Sequence, residues 1–215
     1  LAWQGVGPAW LRAEFVRRIT GQSWAALQRR FAATKRNYFR EGISFRHDFS
    51  QAILPQELGA NALLYDNRIA TCSPNPGNLA AFGKRRFGQA LNWPRSADEI
   101  VWTFMTRGVF VDAEGVHTIE HEGRNQGYRQ LPDWSAERVL DVVDRATAYL
   151  AAQVQSSGAY HYGWFPCFDR EIPTYNALRH ASSTYALLEG WEASGNAAAR
   201  NAAERALDYL CQNLV

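Results

Sequence analysis

The chain has 215 residues, which fits one large domain or two small ones, and 47% of them are apolar, enough to bury a real core. No apolar run reaches the length of a membrane-spanning helix, which excludes a transmembrane segment. The net charge is only +2, and the three cysteines form no C-x-x-C motif, which argues against a disulfide framework and favours a reducing, cytoplasmic compartment.

The charge is unevenly spread. Residues 9–46 hold nine Arg or Lys against two Glu, whereas residues 131–215 hold ten acids against six Arg. That asymmetry fits an anionic partner for the N-terminal part, or simply a solvated basic helix face. No nucleic-acid motif accompanies the basic residues, so nucleic acid is disfavoured as a partner. No signal-peptide pattern is read, and the chain begins at Leu1 rather than Met, which leaves localisation open.

In chain order, residues 9–19 and 23–40 read as two helices broken at Gly21. Ser23 is the expected N-cap of the second and Gly42 its stop. A short helix is expected from Glu57 to Leu64, with Pro55 in its first turn, then a loop over 72–78 and a helix over 79–91. Residues 99–121 are rich in Val, Ile, Thr and aromatics and predict at least two antiparallel strands, joined by a turn at Asp112–Gly115. Residues 123–133 read as a linker.

From Ser135 the pattern is helical, interrupted by a loop carrying GAYHYGWFPCFDREIP. A helix is expected over Tyr175–Glu192, a turn at 193–196 with Gly195 as helix stop, and a last helix over 197–214. DRATAYL at 144–150 and ERALDYL at 204–210 match at a spacing of sixty residues, as repeated helical hairpins would. The domain reading is a mixed N-terminal region, 1–130, with basic helices and a β-hairpin, and a helical-hairpin region, 131–215.

His117 to His121 spells H-x-x-E-H, a zinc-peptidase pattern that works on a helix; among β-formers it reads as an exposed strand, and no metal site is expected. His47-Asp48 reads as a surface pair on a loop. Phosphate-cradling and serine-hydrolase motifs are missing, and no cofactor is expected.

The segment 160–185 gathers several reactive groups. On a helix Tyr175, Arg179 and Ser183 share a face, and the Arg fork beside a positive helix end suits a ligand carboxylate. His180 lies one position around. Tyr162, Trp164, Asp169 and Glu171 precede the helix and Tyr185 follows within it. Arg179 paired to Asp169, Glu171 or Glu189, Thr174 as a cap and His180 as a hydrogen-bonded core residue make up the structural alternative.

TYNALRHASSTYALLEGWEASGN resembles a segment of the glucuronyl carbon-5 epimerases, in which a Tyr stands shortly before Leu-Arg-His. Tyr175 and Leu178-Arg179-His180 fit it with one more residue between Tyr and Leu. The wider pattern is similar to α/α-toroid glycan enzymes over about residues 160–215. With the strands read at 99–121, the fold expected is mainly α with a small antiparallel β part; the resemblance implies that its helices form toroid-type hairpins, in a ring that this length does not close. It implies an acidic, uronate-containing glycan and proton abstraction beside its carboxylate, by epimerisation or elimination. Tyr175, His180, Tyr162 and Tyr185 would then be the proton-transfer groups. Arg179, Ser183, Trp164, Asp169 and Glu171 would bind substrate, with Arg179 lowering the pKa of Tyr175. A non-catalytic helical domain for an anionic polymer or protein partner is the competing reading, and an oligomer is compatible with either.

Overall fold

The computed structural model describes residues 9–123, 125–130 and 133–213. Arg124, Leu131 and Pro132 of the expected linker, and Leu214 of the expected last helix, lie outside the described residues. The chain divides into two compact units. One comprises residues 1–131 with 166–169, the other 132–165 with 170–215.

The first unit is built on a sheet. Strand β1 (Leu11–Ser23) pairs antiparallel along its whole length with the central strand β4 (Ile100–Asp112). On the other side of β4 lie β2 (Gly42–Ser44), continued outward by β3 (Ala52–Ile53), and β5 (Gly115–Thr118). Helices α1 (Trp24–Ala33), α2 (Pro55–Ala60) and α3 (Pro76–Phe87) belong to the same unit.

Residues 9–19 are therefore not helical. Leu11, Ala13 and Phe15 alternate with Arg12 and Glu14, a period of two that suits a pleated strand. The register shifts between Arg17 and Ile19, where Arg18 takes a left-handed φ of 44°, the signature of a bulge. The basic residues of this stretch thus lie along an edge strand and share no helix face.

Ser23 caps α1 as expected, its hydroxyl accepting from the Ala26 N–H. The helix nevertheless stops at Ala33, well before Gly42, because Thr34 turns its hydroxyl back onto the Arg30 carbonyl and Lys35 bridges to Thr71. Helix α2 has Pro55 in its first turn as expected, but it spans Pro55–Ala60 rather than Glu57 to Leu64. Helix α3 starts earlier than read: Asn75 caps it through the Asn78 N–H, and Pro76 opens its first turn. The core of the unit gathers Trp24, Leu27, Phe31, Ile43, Ile53, Leu63 and Leu79.

The second unit holds α4 (Ala136–Ala152), the two-residue strands β6 (Trp164–Phe165) and β7 (Arg170–Glu171), α5 (Ala177–Ser194) and α6 (Ala197–Asn213). Ser135 caps α4, and Gly195, at φ 70°, ends α5 in the left-handed conformation expected of it. Helices α4 and α5 touch at Gly190, where a Cβ would stand 2.2 Å from the Thr147 hydroxyl.

These observations overturn the mainly α, toroid-type fold. Helix makes up 40% and strand 22% of the described residues, with a five-stranded antiparallel sheet and a two-stranded one. The sixty-residue repeat does not survive as a structural unit either. Thr147 is buried in α4 while its counterpart Leu207 is 41% exposed in α6, so the matched segments present different faces. Among the described residues no helix is long and apolar enough to cross a membrane.

Candidate functional site

The groups of interest come together in the helical unit, where the chain between α4 and α5 folds back on the helices. Val154 bridges to Tyr160 around a tight turn, with Gly158 at φ 87°. A Cβ on Gly158 would stand 2.2 Å from the Arg205 carbonyl, so only glycine lets this turn seat against α6. Strands β6 and β7 then pair Trp164 with Glu171, and the chain runs on to Asn176, which caps α5 by accepting from the Arg179 N–H.

Tyr175 consequently lies outside the helix, and Asn176 rather than Thr174 is the cap. The shared helix face of Tyr175, Arg179 and Ser183 is not formed. Tyr175 instead turns its hydroxyl onto His180, with Oη 2.6 Å from Nδ1. His180 is 2% exposed, and its Nε2 lies 2.8 Å from the Ala206 carbonyl of α6. A carbonyl can only accept, so Nε2 carries the proton of the neutral ring and Nδ1 is the acceptor. Tyr175 therefore donates to His180. Its oxygen in turn accepts from the Tyr160 N–H at 2.8 Å.

Three aromatic neighbours hold the dyad. Tyr209 stacks on the imidazole with centroids 5.2 Å apart, Tyr160 meets it edge-on at 5.0 Å, and Tyr162 lies 5.5 Å from the Tyr175 ring. The Tyr160 hydroxyl shares a hydrogen bond with Thr184, whose hydroxyl also bonds the His180 carbonyl. Burial pushes the phenols of Tyr160 and Tyr175 above their usual range. Arg179 does not reverse this for Tyr175. Its guanidinium lies over the Tyr162 ring at 5.5 Å. Tyr175 is thus a neutral donor whose proton has a ready acceptor in His180.

A cavity of about 170 Å³ opens beside the dyad, lined by His161, Tyr162, Glu171, Thr174 and Tyr175 among others. Glu171 faces His161 at 3.6 Å and does not occupy Arg179. Trp164 is exposed on β6, opposite Glu171.

Asp169 belongs to the sheet unit, at a left-handed φ of 50°. Ser183 is half-buried on α5 and does not line the cavity. Tyr185 is 64% exposed, and Glu189 raises its pKa by accepting its proton in a hydrogen bond. It stands five residues beyond His180, about 140° around the helix, and takes no part in the dyad. Tyr160, Thr184 and Tyr209 complete the site. Tyr160 opens the reactive segment and Thr184, four residues beyond His180, shares its helix face, so both were legible in the sequence, whereas Tyr209 is signalled only by its place in ERALDYL.

No family model, curated protein or solved structure matches the chain.

Elsewhere the H-x-x-E-H pattern is split. His117 lies on β5 with Nε2 2.8 Å from Asp112, and His121 lies beyond the strand. Asp112, Glu114 and His117 offer ligand atoms within 4.8 Å of one another, but Asp112 already receives Arg129 at 3.0 Å as well as His117. His47 is an exposed ring edge-on to Trp102, and Asp48 caps Ser50.

Proposed function

We propose that the helical unit carries the proton-transfer centre of an enzyme acting on an acidic, uronate-containing glycan, abstracting the proton beside the carboxylate. The observation that carries this reading is the 2.6 Å bond from Tyr175 to a buried His180 whose far nitrogen is fixed on Ala206. When Tyr175 passes its proton to Nδ1, the Ala206 carbonyl stabilises the imidazolium, and the Tyr160 N–H stabilises the phenolate. The phenolate then takes the carbon-bound proton. Return of a proton to the opposite face gives an epimer, and loss of the neighbouring leaving group gives an unsaturated product.

Arg179, over the ring of the cavity-lining Tyr162, is the receptor for the substrate carboxylate. That contact also spreads the charge of the enolate, which a weak carbon acid requires. The cavity is smaller than the ~300–1,000 Å³ of drug-sized sites, so a single ring rather than a long run of chain enters it. The resemblance of residues 160–215 to glucuronyl carbon-5 epimerases supports the substrate class without the toroid fold.

The test is exchange of the proton at carbon 5 in deuterated water, followed by NMR on polyglucuronate and polymannuronate. Wild type is expected to exchange it, and Tyr175→Phe to exchange about 10²–10⁴-fold more slowly. A folded wild-type protein that exchanges neither polymer sinks epimerase and lyase together.

A further inference from the structure

We propose that the sheet unit binds a small aromatic monocarboxylate in its own cavity, with Arg40 as the anion receptor. This site involves none of the residues of the Tyr175–His180 dyad and stands whether or not the uronate reading holds.

The cavity measures about 570 Å³, within the ~300–1,000 Å³ typical of small-molecule sites. Phe39, Tyr65 and Tyr128 give it aromatic walls, and among the described residues Arg12 and Arg40 are its charged lining, with no carboxylate there. The two arginines are not equivalent. Arg12 is neutralised by Glu14 at 2.5 Å, and Glu14 also accepts from Gln56 at 3.2 Å. Among the described residues the Arg40 side chain bonds the carbonyls of Asn37 at 2.5 Å and Phe39 at 3.4 Å, and lies 5.5 Å from the Tyr38 ring.

Those partners hold the Arg40 guanidinium in place without cancelling its charge. One unbalanced positive charge among aromatic walls calls for a ligand with one negative charge and a flat body. The planar guanidinium fork selects a carboxylate, and a phosphate dianion would leave an excess of negative charge. Cys72 contributes to the lining as a buried thiol whose pKa burial raises, so it serves as an inert surface.

Naphthalene-2-carboxylate, naphthalene-2-carboxamide and inorganic phosphate, titrated separately by calorimetry and by ¹H–¹⁵N chemical-shift mapping, test the proposal. The carboxylate is expected to bind saturably, with shifts clustered at Phe39, Tyr65 and Tyr128. The amide should bind at least tenfold more weakly, and phosphate should give no saturable binding at these residues. Arg40→Ala should weaken the carboxylate tenfold or more while leaving the amide unchanged. Ala60→Trp, a change at an exposed lining residue, should block both and guards against an Arg40 variant that fails to fold. Equal binding of acid and amide, binding indifferent to Ala60→Trp, or no saturable binding of the carboxylate each overturns the proposal.

Discussion

The two units are held together by different physics. The sheet unit fills its core with bulk: Trp24, Leu27, Phe31, Ile43, Ile53, Leu63 and Leu79 are all buried. Among the described residues the helical unit buries Leu187 fully, with Val154, Tyr160 and the small side chains of Ala199, Ala202, Ala203 and Ala206 around it. Three polar groups, Thr147, His180 and Thr184, are buried beside them. Small residues let its helices approach closely, and hydrogen bonds fix where they stop. Apolar bulk tolerates substitution as long as volume is kept, whereas a polar core depends on each partner being present. A site that must hold a tyrosine and a histidine at 2.6 Å belongs in the second kind of interior.

The comparison breaks most visibly at Phe31, which is 1% exposed and meets Trp24 and Phe39 edge-on. Phe31→Ala should cost the sheet unit about 3–5 kcal/mol, read by urea unfolding with hydrogen exchange reporting each unit separately. If the loss appears instead in the helical unit, the division of labour is wrong. A smaller effect of opposite origin is expected at Gly190. Gly190→Ala forces a Cβ to 2.2 Å from the Thr147 hydroxyl and should cost the helical unit about 1–3 kcal/mol by overpacking. Adding Thr147→Ala should recover part of that loss. Failure to recover any would show that helix approach is not set at this contact.

Replacing His180 with Phe sharpens the polar side of the comparison. The ring volume is nearly kept, but the Tyr175 hydroxyl loses its acceptor and the Ala206 carbonyl loses its second donor. About 1–3 kcal/mol of stability should go with them. Proton exchange on a uronate polymer should fall to the level of Tyr175→Phe. His180→Phe and the double variant should then exchange at the same rate, because the two residues act as one device.

Sequence reading reached the parts of this molecule that local chemistry decides. The Asp112–Gly115 turn, the cap at Ser23, the helix beginning after Ser135 and the stop at Gly195 each depend on a few neighbouring residues. It failed at 9–19, where charged and apolar residues mimic a helix. The strand there exists because β4 offers a partner eighty to a hundred residues away. It failed again at the site. Tyr175, Arg179 and His180 were singled out by density of reactive groups, but helical periodicity assigned Tyr175 to the wrong face. A cap at Asn176 and a return loop through Gly158 set its real position, and neither announces the tertiary contact with Ala206.

The smallest expected effect is the response of the two units to alkali. In the helical unit, burial raises the phenols of Tyr160 and Tyr175 above an ordinary value of 10.0. The folded state then holds those protons more tightly than the unfolded chain. The stability this contributes is complete below about pH 10 and is lost as pH rises through the folded pKa values. In the sheet unit, burial likewise raises the thiols of Cys72 and Cys167 above 9.0, and the same sign applies one unit lower. The sheet unit should therefore begin to weaken above about pH 9 and the helical unit only above about pH 10, as urea midpoints measured from pH 8 to 11 would report. Cys72→Ala with Cys167→Ala should flatten the first slope, and Tyr160→Phe with Tyr175→Phe the second. A helical unit that weakens before the sheet unit would mean that these buried hydroxyls do not control its alkaline stability.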